Sequence, residues 1–293
     1  MVENSRHFLP ALDTVANLVL MLPKPNTASA QIRSELEAKY TSRDLDRVWT
    51  SDPEVVVDEL ESRTVGQFAI VDIGGYFAPT LSSISDHFGD RFLGVMEGTE
   101  NGLAKYRRLP DLAVPVFTVA DSRLKYPENH LVGVSVVHSI ESVVREAAEV
   151  LQNKRACVIG FGKVGRSVAE ALRGRGVPVT IFDTAAVAMA EAAARGFVVQ
   201  RTLEAALRRA DLVVGATGNK SLNYDALASM NPGTMIATVT SGDDEFDPAA
   251  LSAGWRIRHH TTSGGTPITE YSNRSTHVYV LNDAHTINFL HGA

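Results

Sequence analysis

The sequence predicts an α/β protein: a doubly wound parallel-sheet Rossmann domain preceded by a smaller N-terminal α/β domain. Three observations carry this expectation. Short apolar runs alternate with helix-spaced segments along the chain, the rhythm of parallel βα units. One run, Ala156-Cys157-Val158-Ile159, feeds the turn Gly160-Phe161-Gly162-Lys163-Val164-Gly165, which opens a helical segment at once. The next apolar run, Val177-Pro178-Val179-Thr180-Ile181-Phe182, ends in Asp183. That acid lies about 20 residues past the first glycine, where a carboxylate accepts the ribose hydroxyls of NAD.

The elements follow in order. The first domain is expected over residues 1–135. A strand over 17–22 is stopped by Pro23 and Pro25, and a helix over 28–40 has Thr27 as a candidate cap. Pro53 suits the first turn of a helix ending at Arg63. A buried strand over 68–73 ends at Gly74-Gly75, followed by a helix over 81–88 and strands over 91–95 and 114–119. A helix over 136–153 leads into the NAD-binding Rossmann domain, expected over 136–275. After Asp183 the spacing predicts helices over 185–195, 202–209 and 224–230. Strands are expected over 197–199, 211–215 and 234–239. Residues 276–293 read as a C-terminal hairpin about Asn282-Asp283, a tail returning to the cleft. Gly264-Gly265-Thr266-Pro267 reads as a mobile loop that could act as a lid. Lys24-Pro25-Asn26 occupies a loop position suited to an anionic substrate group.

Composition bounds the function. A chain of 293 residues, 44% hydrophobic and 21% charged, is long enough for two ordinary globular domains. The net charge of −6 and the lack of a basic run argue against nucleic acid as a partner. Cys157, the single cysteine, has no intramolecular disulfide partner and lies on a predicted buried strand, so it reads as a small core residue. No apolar run approaches the roughly 20 residues of a membrane span, and no secretory pattern opens the chain. A cytoplasmic protein with no membrane partner is expected. His259-His260 would point to opposite faces of a strand with no further ligands nearby in sequence, so no metal site is expected.

The glycine turn carries a specific chemistry. Gly160 and Gly162 let the backbone turn tightly and approach a pyrophosphate, Gly165 lets helix and strand pack, and the helix start offers free N–H groups to the negative charge. Asp183 would repel a 2′-phosphate, which favours NAD over NADP, although Arg166 and Arg201 are close in sequence. Thr217-Gly218-Asn219 follows a buried strand and falls at the crevice where strand order reverses, the place ligands take in such sheets.

Further motifs resemble the S-adenosylhomocysteine hydrolase family across roughly 68–289. Ala216-Thr217-Gly218-Asn219-Lys220 is similar to that family's T-T-G-N-K, and Ser241-Gly242-Asp243-Asp244-Glu245-Phe246-Asp247 to its G-H-F-D-N-E-I-D. Gly94-Val95-Met96-Glu97-Gly98-Thr99-Glu100-Asn101-Gly102 resembles G-V-S-E-E-T-T-T-G, and the stretch from Asp121 to His130 resembles D-S-V-T-K-S-K-F-D-N. Val71-Asp72-Ile73-Gly74-Gly75-Tyr76 stands where the family has L-D-D-G-G-D, and Ile287-Asn288-Phe289 is similar to its V-N-L. In that family a tightly held NAD oxidises the substrate's ribose 3′-hydroxyl, a thiol is eliminated, water adds and the hydride returns. The resemblance implies NAD contacts at Gly160, Gly162, Val164, Gly165, Asp183, Thr217, Gly218, Asn219 and Asn288. It implies further contacts at Thr99, Glu100 and Asn101, which replace a threonine triplet.

The departures bear on the chemistry. Lys125 keeps the family's lysine, which contacts the reacting hydroxyl. The adjoining Asp-Asn pair reads here as Asn129-His130, Ile73 stands in place of an aspartate acid/base, Ser241 in place of a histidine, and Val134 in place of a cysteine. General acid/base work needs a titratable group within hydrogen-bond reach of the moving proton, and an isoleucine has none. The expected activity is therefore NAD-dependent oxidation, permanent or transient, of a hydroxyl-bearing small molecule, without hydrolysis of S-adenosylhomocysteine itself. Lys125, His130, Glu97, Asn129 and Asp72 are the candidate catalytic residues. A non-catalytic NAD-sensing protein and a retained adenosylhomocysteinase are the alternatives. By analogy with the family, a homo-oligomer is expected.

Overall fold

The computed structural model describes residues 4–25, 29–247 and 254–289. The chain forms two compact units, Met1–Lys125 and Tyr126–Ala293.

The first unit is a three-stranded parallel sheet in the order β1 (Phe68–Asp72), β2 (Phe92–Glu97), β3 (Val116–Thr118). Around it run α1 (Ser5–Asp13), α2 (Ala30–Glu37), α3 (Arg47–Thr50), α4 (Pro53–Arg63), α5 (Leu81–Phe88) and α6 (Glu100–Arg107). Local chemistry sets the helix starts. The Asp52 carboxylate accepts from the Glu54 and Val55 amides with Pro53 in the first turn, and Asp46 caps α3 in the same way. Val56 and Leu60 of α4, Leu81, Ile84 and Phe88 of α5, and Ile70, Phe92 and Val95 of the sheet share one core. The strand expected over 17–22 does not form: a single bridge joins Met21 to Ser42. Met21 instead packs with Ile32, Leu36 and Tyr40. Thr27, the expected cap of α2, lies outside the described residues.

The second unit is an eight-stranded sheet. Its strands are β4 (Ala156–Ile159), β5 (Val179–Phe182), β6 (Val198–Val199), β7 (Leu212–Gly215), β8 (Thr234–Thr238), β9 (Arg256–Thr261), β10 (Pro267–Ser272) and β11 (His277–Leu281), in the spatial order β6-β5-β4-β7-β8-β11-β10-β9. The helices are α7 (Lys125–Glu146), which starts at the last residue of the first unit, α8 (Lys163–Gly174), α9 (Ala186–Ala194), α10 (Leu203–Leu207), α11 (Tyr224–Ala228) and α12 (Gly242–Glu245). Side-chain alternation explains the double winding. Ala156 and Val158 join one core with Val136, Val137, Ile140 and Val143 of α7 and Val168 and Leu172 of α8. Cys157 and Ile159 join another with Leu207 of α10 and Leu227 of α11. Each central strand is thus apolar on both faces, as helix-covered parallel strands are. Cys157 is fully buried, and burial pushes its thiol up to about 12, in keeping with a core role.

Three expectations need correction. The boundary expected after residue 135 falls at Lys125, because α7 runs unbroken from Lys125 to Glu146 rather than over 136–153; Pro127 lies in its first turn, where a missing N–H costs nothing. The described part of the 276–293 segment, up to Phe289, is not a separate hairpin about Asn282-Asp283. β11 lies inside the sheet, parallel to β8 and antiparallel to β10, and Asn282, Asp283 and Ala284 all adopt left-handed φ, at 55°, 46° and 64°. Gly264-Gly265 forms no long loop. It is the tight turn of the β9–β10 hairpin, closed by Gly265 N to Thr262 O at 3.0 Å and Thr262 N to Thr266 O at 2.9 Å. A Cβ at Gly264 would meet the Glu146 carboxylate at 2.2 Å, so the turn is seated on α7.

Candidate functional site

Strand order reverses between β4 and β7: β5 and β6 extend to one side of β4, and β7, β8 and β11 to the other. Ligands of open α/β sheets sit beyond the carboxyl ends of the strands at that point. Gly160 leaves β4 with φ +94°, and a Cβ there would lie 2.7 Å from the Ala216 carbonyl, so the two crevice loops touch through a bare Cα. A Cβ at Gly165 would lie 2.0 Å from the Gly160 carbonyl; that glycine lets α8 approach its own strand. Gly162 differs. A Cβ there would have nothing within 4 Å, and as N-cap it gives α8 no side-chain hydrogen bond. The space beside Gly162 at the start of α8 is thus open, and a helix start with room before it is where a phosphate is received in such folds. Val164 sits in the first turn of α8 and is partly buried against the core.

Asp183 follows β5. One of its oxygens accepts from Phe161 N at 2.7 Å and the other from Ala185 N at 2.8 Å, which orients the carboxylate while leaving lone pairs on both oxygens. Arg166 pairs with Glu191 of α9 at 2.5 Å and is thereby occupied. Asn288, past β11, is buried and its Oδ1 has no hydrogen-bond partner among the described residues. A buried acceptor left unmet costs about 1–3 kcal/mol, so Asn288 has room for one more donor, as the buried Trp255 Nε1 and Thr286 Oγ1 have for a partner. An open helix start, an oriented carboxylate and an unmet amide on one sheet edge fit a dinucleotide.

The Thr217-Gly218-Asn219 loop is held by Glu245, a member of the Ser241–Asp247 motif with no role expected from the sequence. Glu245, fully buried, accepts from Thr217 N at 2.9 Å, Thr217 Oγ1 at 2.8 Å, Gly218 N at 2.8 Å and Thr240 Oγ1 at 2.7 Å, and from Ser221 Oγ. A Cβ at Gly215 would meet its Cγ at 2.6 Å. The signal available was Phe246 beside it: an aromatic inside an acidic run marks a segment turned inward.

The other expected residues belong to the first unit or to the start of α7. Asp72 and Glu97 end β1 and β2 as register partners. Both were expected to face substrate, and neither is exposed. Glu97 accepts from Gly74 N at 3.1 Å, Gly75 N at 2.9 Å, Thr99 N at 2.7 Å and Thr99 Oγ1 at 2.7 Å. Asp72 accepts from Phe77 N at 3.1 Å and the Tyr106 hydroxyl at 2.7 Å. Burial, then the neighbouring Asp72 charge, raises the Glu97 carboxyl above its ordinary range against these hydrogen bonds. Burial raises the Tyr106 phenol as well. Thr99 caps α6 through Gly102 N at 3.0 Å, and Glu100 and Asn101 form its first turn. Lys24 and Arg47 lie 4.7 and 4.4 Å from the Tyr76 ring centre, and Lys105 Nζ donates to the Gly74 carbonyl at 3.0 Å. Lys125 and Asn129 are one turn apart on α7 and share a face. The His130 ring is exposed while its carbonyl accepts from Ser167 Oγ at 3.0 Å. Ile73 is 56% exposed. Among the described residues no cluster of three or more metal-ligating side chains occurs, and no helix is long and apolar enough to cross a membrane.

Fold and crevice define the class: a doubly wound α/β protein built to bind a dinucleotide at the switch point of its sheet. Residues 133–292 match the family model described as S-adenosyl-L-homocysteine hydrolase, NAD binding domain. The chain belongs to that family, and its cofactor is NAD. It is similar to the adenosylhomocysteinase of Archaeoglobus fulgidus, with 26% identity over 75% of this chain and 54% of the relative. It is also similar to the S-inosyl-L-homocysteine hydrolase of Methanopyrus kandleri, with 25% identity over 89% of this chain and 58% of the relative. The chain thus spans little more than half the length of these curated relatives. Among solved structures, a phosphoglycerate oxidoreductase from Vibrio cholerae O395 aligns with TM-score 0.50 at 13% identity, covering 80% of this chain and 79% of that one. That likeness is one of fold.

Proposed function

We propose that the protein is an NAD-using enzyme that oxidises, permanently or transiently, a hydroxyl group of a small molecule, and that it does not hydrolyse S-adenosylhomocysteine. Bound NAD supplies a hydride acceptor. In this reading Gly160, Gly162, Val164 and Gly165 shape the diphosphate cradle, and Asp183 holds a ribose of the cofactor. Thr217, Gly218, Asn219 and Asn288 line the nicotinamide side, with Thr99, Glu100 and Asn101 as further contacts. Lys125 takes the hydroxyl proton, and Asn129 and His130 stand beside it on α7. Glu97 acts by fixing the Gly74-Gly75 turn, and Asp72 by holding Phe77 N and the Tyr106 hydroxyl.

The observation that carries the reading is the cradle at Gly162 with the unmet Asn288 Oδ1. The case against a full hydrolase cycle is the loss of titratable groups at Ile73 and Ser241. The test is to purify the protein, measure retained nicotinamide by absorbance, and screen polyols and nucleosides for formation of reduced cofactor. Lys125→Ala is expected to lower turnover by about 10²–10⁴-fold while the affinity for NAD stays unchanged. Gly162→Ala is expected to weaken NAD binding at unchanged thermal stability. Release of homocysteine from S-adenosylhomocysteine, or full turnover by Lys125→Ala, would overturn the proposal.

A further inference from the structure

Arginine pairing differs sharply between two ends of the second unit. Along α7 to α10 many guanidiniums meet carboxylates, as Arg155 meets Asp211 at 2.9 Å, Arg175 meets Glu141 at 3.0 Å and Arg195 meets Glu170 at 2.9 Å, while Arg173 lies instead over the Phe197 ring. At the amino end of β8 and β11 they do not. There β9, β10 and β11 bring two rows of side chains onto one face, Arg256–Ser272–His277 and Arg258–Glu270–Tyr279, because residues two apart on a strand point the same way. The β10–β11 turn adds Arg274. That turn is rigid: the Asn273 side chain accepts from Ser275 N at 2.8 Å and Thr276 N at 2.9 Å, and Thr276 Oγ1 donates to the Met230 carbonyl at 3.1 Å. Together they line a shallow, solvent-open concavity of about 440 Å³, with the arginines exposed at its surface.

The charges in it do not cancel. Glu270, the one carboxylate in the lining, is engaged by His260 at 2.9 Å and faces Arg258 across the strands. Arg256 and Arg274 have no ion pair or side-chain hydrogen bond among the described residues, and His277 lies beside them. Two unanswered guanidiniums at one concavity repel each other, and their planar donor forks match the oxygens of a phosphate better than a single carboxylate does. The location separates this site from the cofactor edge. Gly160, Thr217 and Asn288 follow the carboxyl ends of their strands, whereas Arg256, Arg274 and His277 stand at the amino end of β11. The five-residue strand β11 puts roughly 13 Å between the two edges at its usual rise.

We propose that this concavity is a second binding site, for a phosphate-bearing small molecule, with Arg256 and Arg274 clamping the phosphate. The site stands independently of the reaction proposed above. The test is calorimetric titration of the full chain with inorganic pyrophosphate, AMP and adenosine, at low ionic strength and in the presence of saturating NAD so that the cofactor cradle is filled. Pyrophosphate and AMP are expected to bind and adenosine not. Tighter binding of AMP would mark the ligand as a nucleotide, and tighter binding of pyrophosphate an inorganic or polyphosphate one. Arg256→Gln/Arg274→Gln should weaken binding at least tenfold without changing NAD affinity or the far-ultraviolet circular dichroism. Arg256→Lys/Arg274→Lys, which keeps charge without the forks, should fall between. Absence of binding to the wild type, or binding unchanged in the glutamine variant, would overturn the proposal.

Discussion

Two turns in this molecule solve one problem in the same way, and they differ in a telling respect. In the first unit Glu97 gathers the amides of Gly74, Gly75 and Thr99 and the Thr99 hydroxyl. In the second, Glu245 gathers the amides of Thr217 and Gly218 and the hydroxyls of Thr217, Ser221 and Thr240. Each is a fully buried carboxylate at the carboxyl end of a parallel sheet, holding a glycine-containing loop through main-chain donors. A buried charge survives when hydrogen bonds replace its water. The difference is the neighbour: Glu97 is paired in register with Asp72, a second buried carboxylate, and its own carboxyl is raised by burial and by that charge. The Glu245 anchor is a fully donated carboxylate; the Glu97 anchor is a frustrated one.

The steepest way to break both is to fill the space beside them. A Cβ on Gly102 would stand 2.2 Å from the Glu97 carboxylate, and one on Gly215 would stand 2.6 Å from Glu245 Cγ. Gly102→Ala and Gly215→Ala are each expected to cost about 3 kcal/mol in denaturant unfolding, the upper range for overpacking. Replacing the acids separates the two turns. Glu245→Gln turns an amide NH₂ toward donors and should cost about 2–3 kcal/mol, whereas Glu97→Gln loses the same hydrogen bonds but relieves repulsion from Asp72 and should cost about 1 kcal/mol. Equal losses would erase the distinction drawn between the turns. Tyr106→Phe removes the hydroxyl that meets Asp72 at 2.7 Å and should cost about 1 kcal/mol.

The smallest effect is in pH. Because the folded Glu97 carboxyl is raised above its ordinary value of 4.5, the folded state holds its proton more tightly than the unfolded chain does. Its contribution to stability is then full below that value and is lost as pH rises through the raised one. The stability difference between wild type and Glu97→Gln should therefore shift against the wild type as pH is raised across that window, as chemical denaturation at stepped pH will show.

The cofactor edge was legible because its signals are local. The glycine turn, the acid after β5 and the polar tripeptide after β7 each lie within a few residues of a strand end, and close backbone approach requires glycine at 160 and 165. The helices over 53–63 and 81–88 were equally plain, from Asp52-Pro53 and from apolar spacing. The start of α7 was missed by about three turns: its first residues, Lys125 to Val134, carry Pro127, Glu128, Asn129 and His130 among few apolar positions, so no apolar spacing marks them as helical. The strand β9 was obscured by exposure: every one of its residues is exposed, so no alternation of apolar residues marks it.

The amino-acid sequence by itself determined the doubly wound unit and its dinucleotide edge, since periodicity, glycine spacing and one acid encode them within short stretches. The tertiary structure alone decided what the buried acids do and where the arginines gather. Glu245 finds Thr217 across 28 residues, Glu97 finds Gly75 across 22, and Arg256 shares a concavity with Arg274. Whether a carboxylate serves as anchor or base, and whether a guanidinium is paired or waiting, depends on which distant donors and charges folding brings to it.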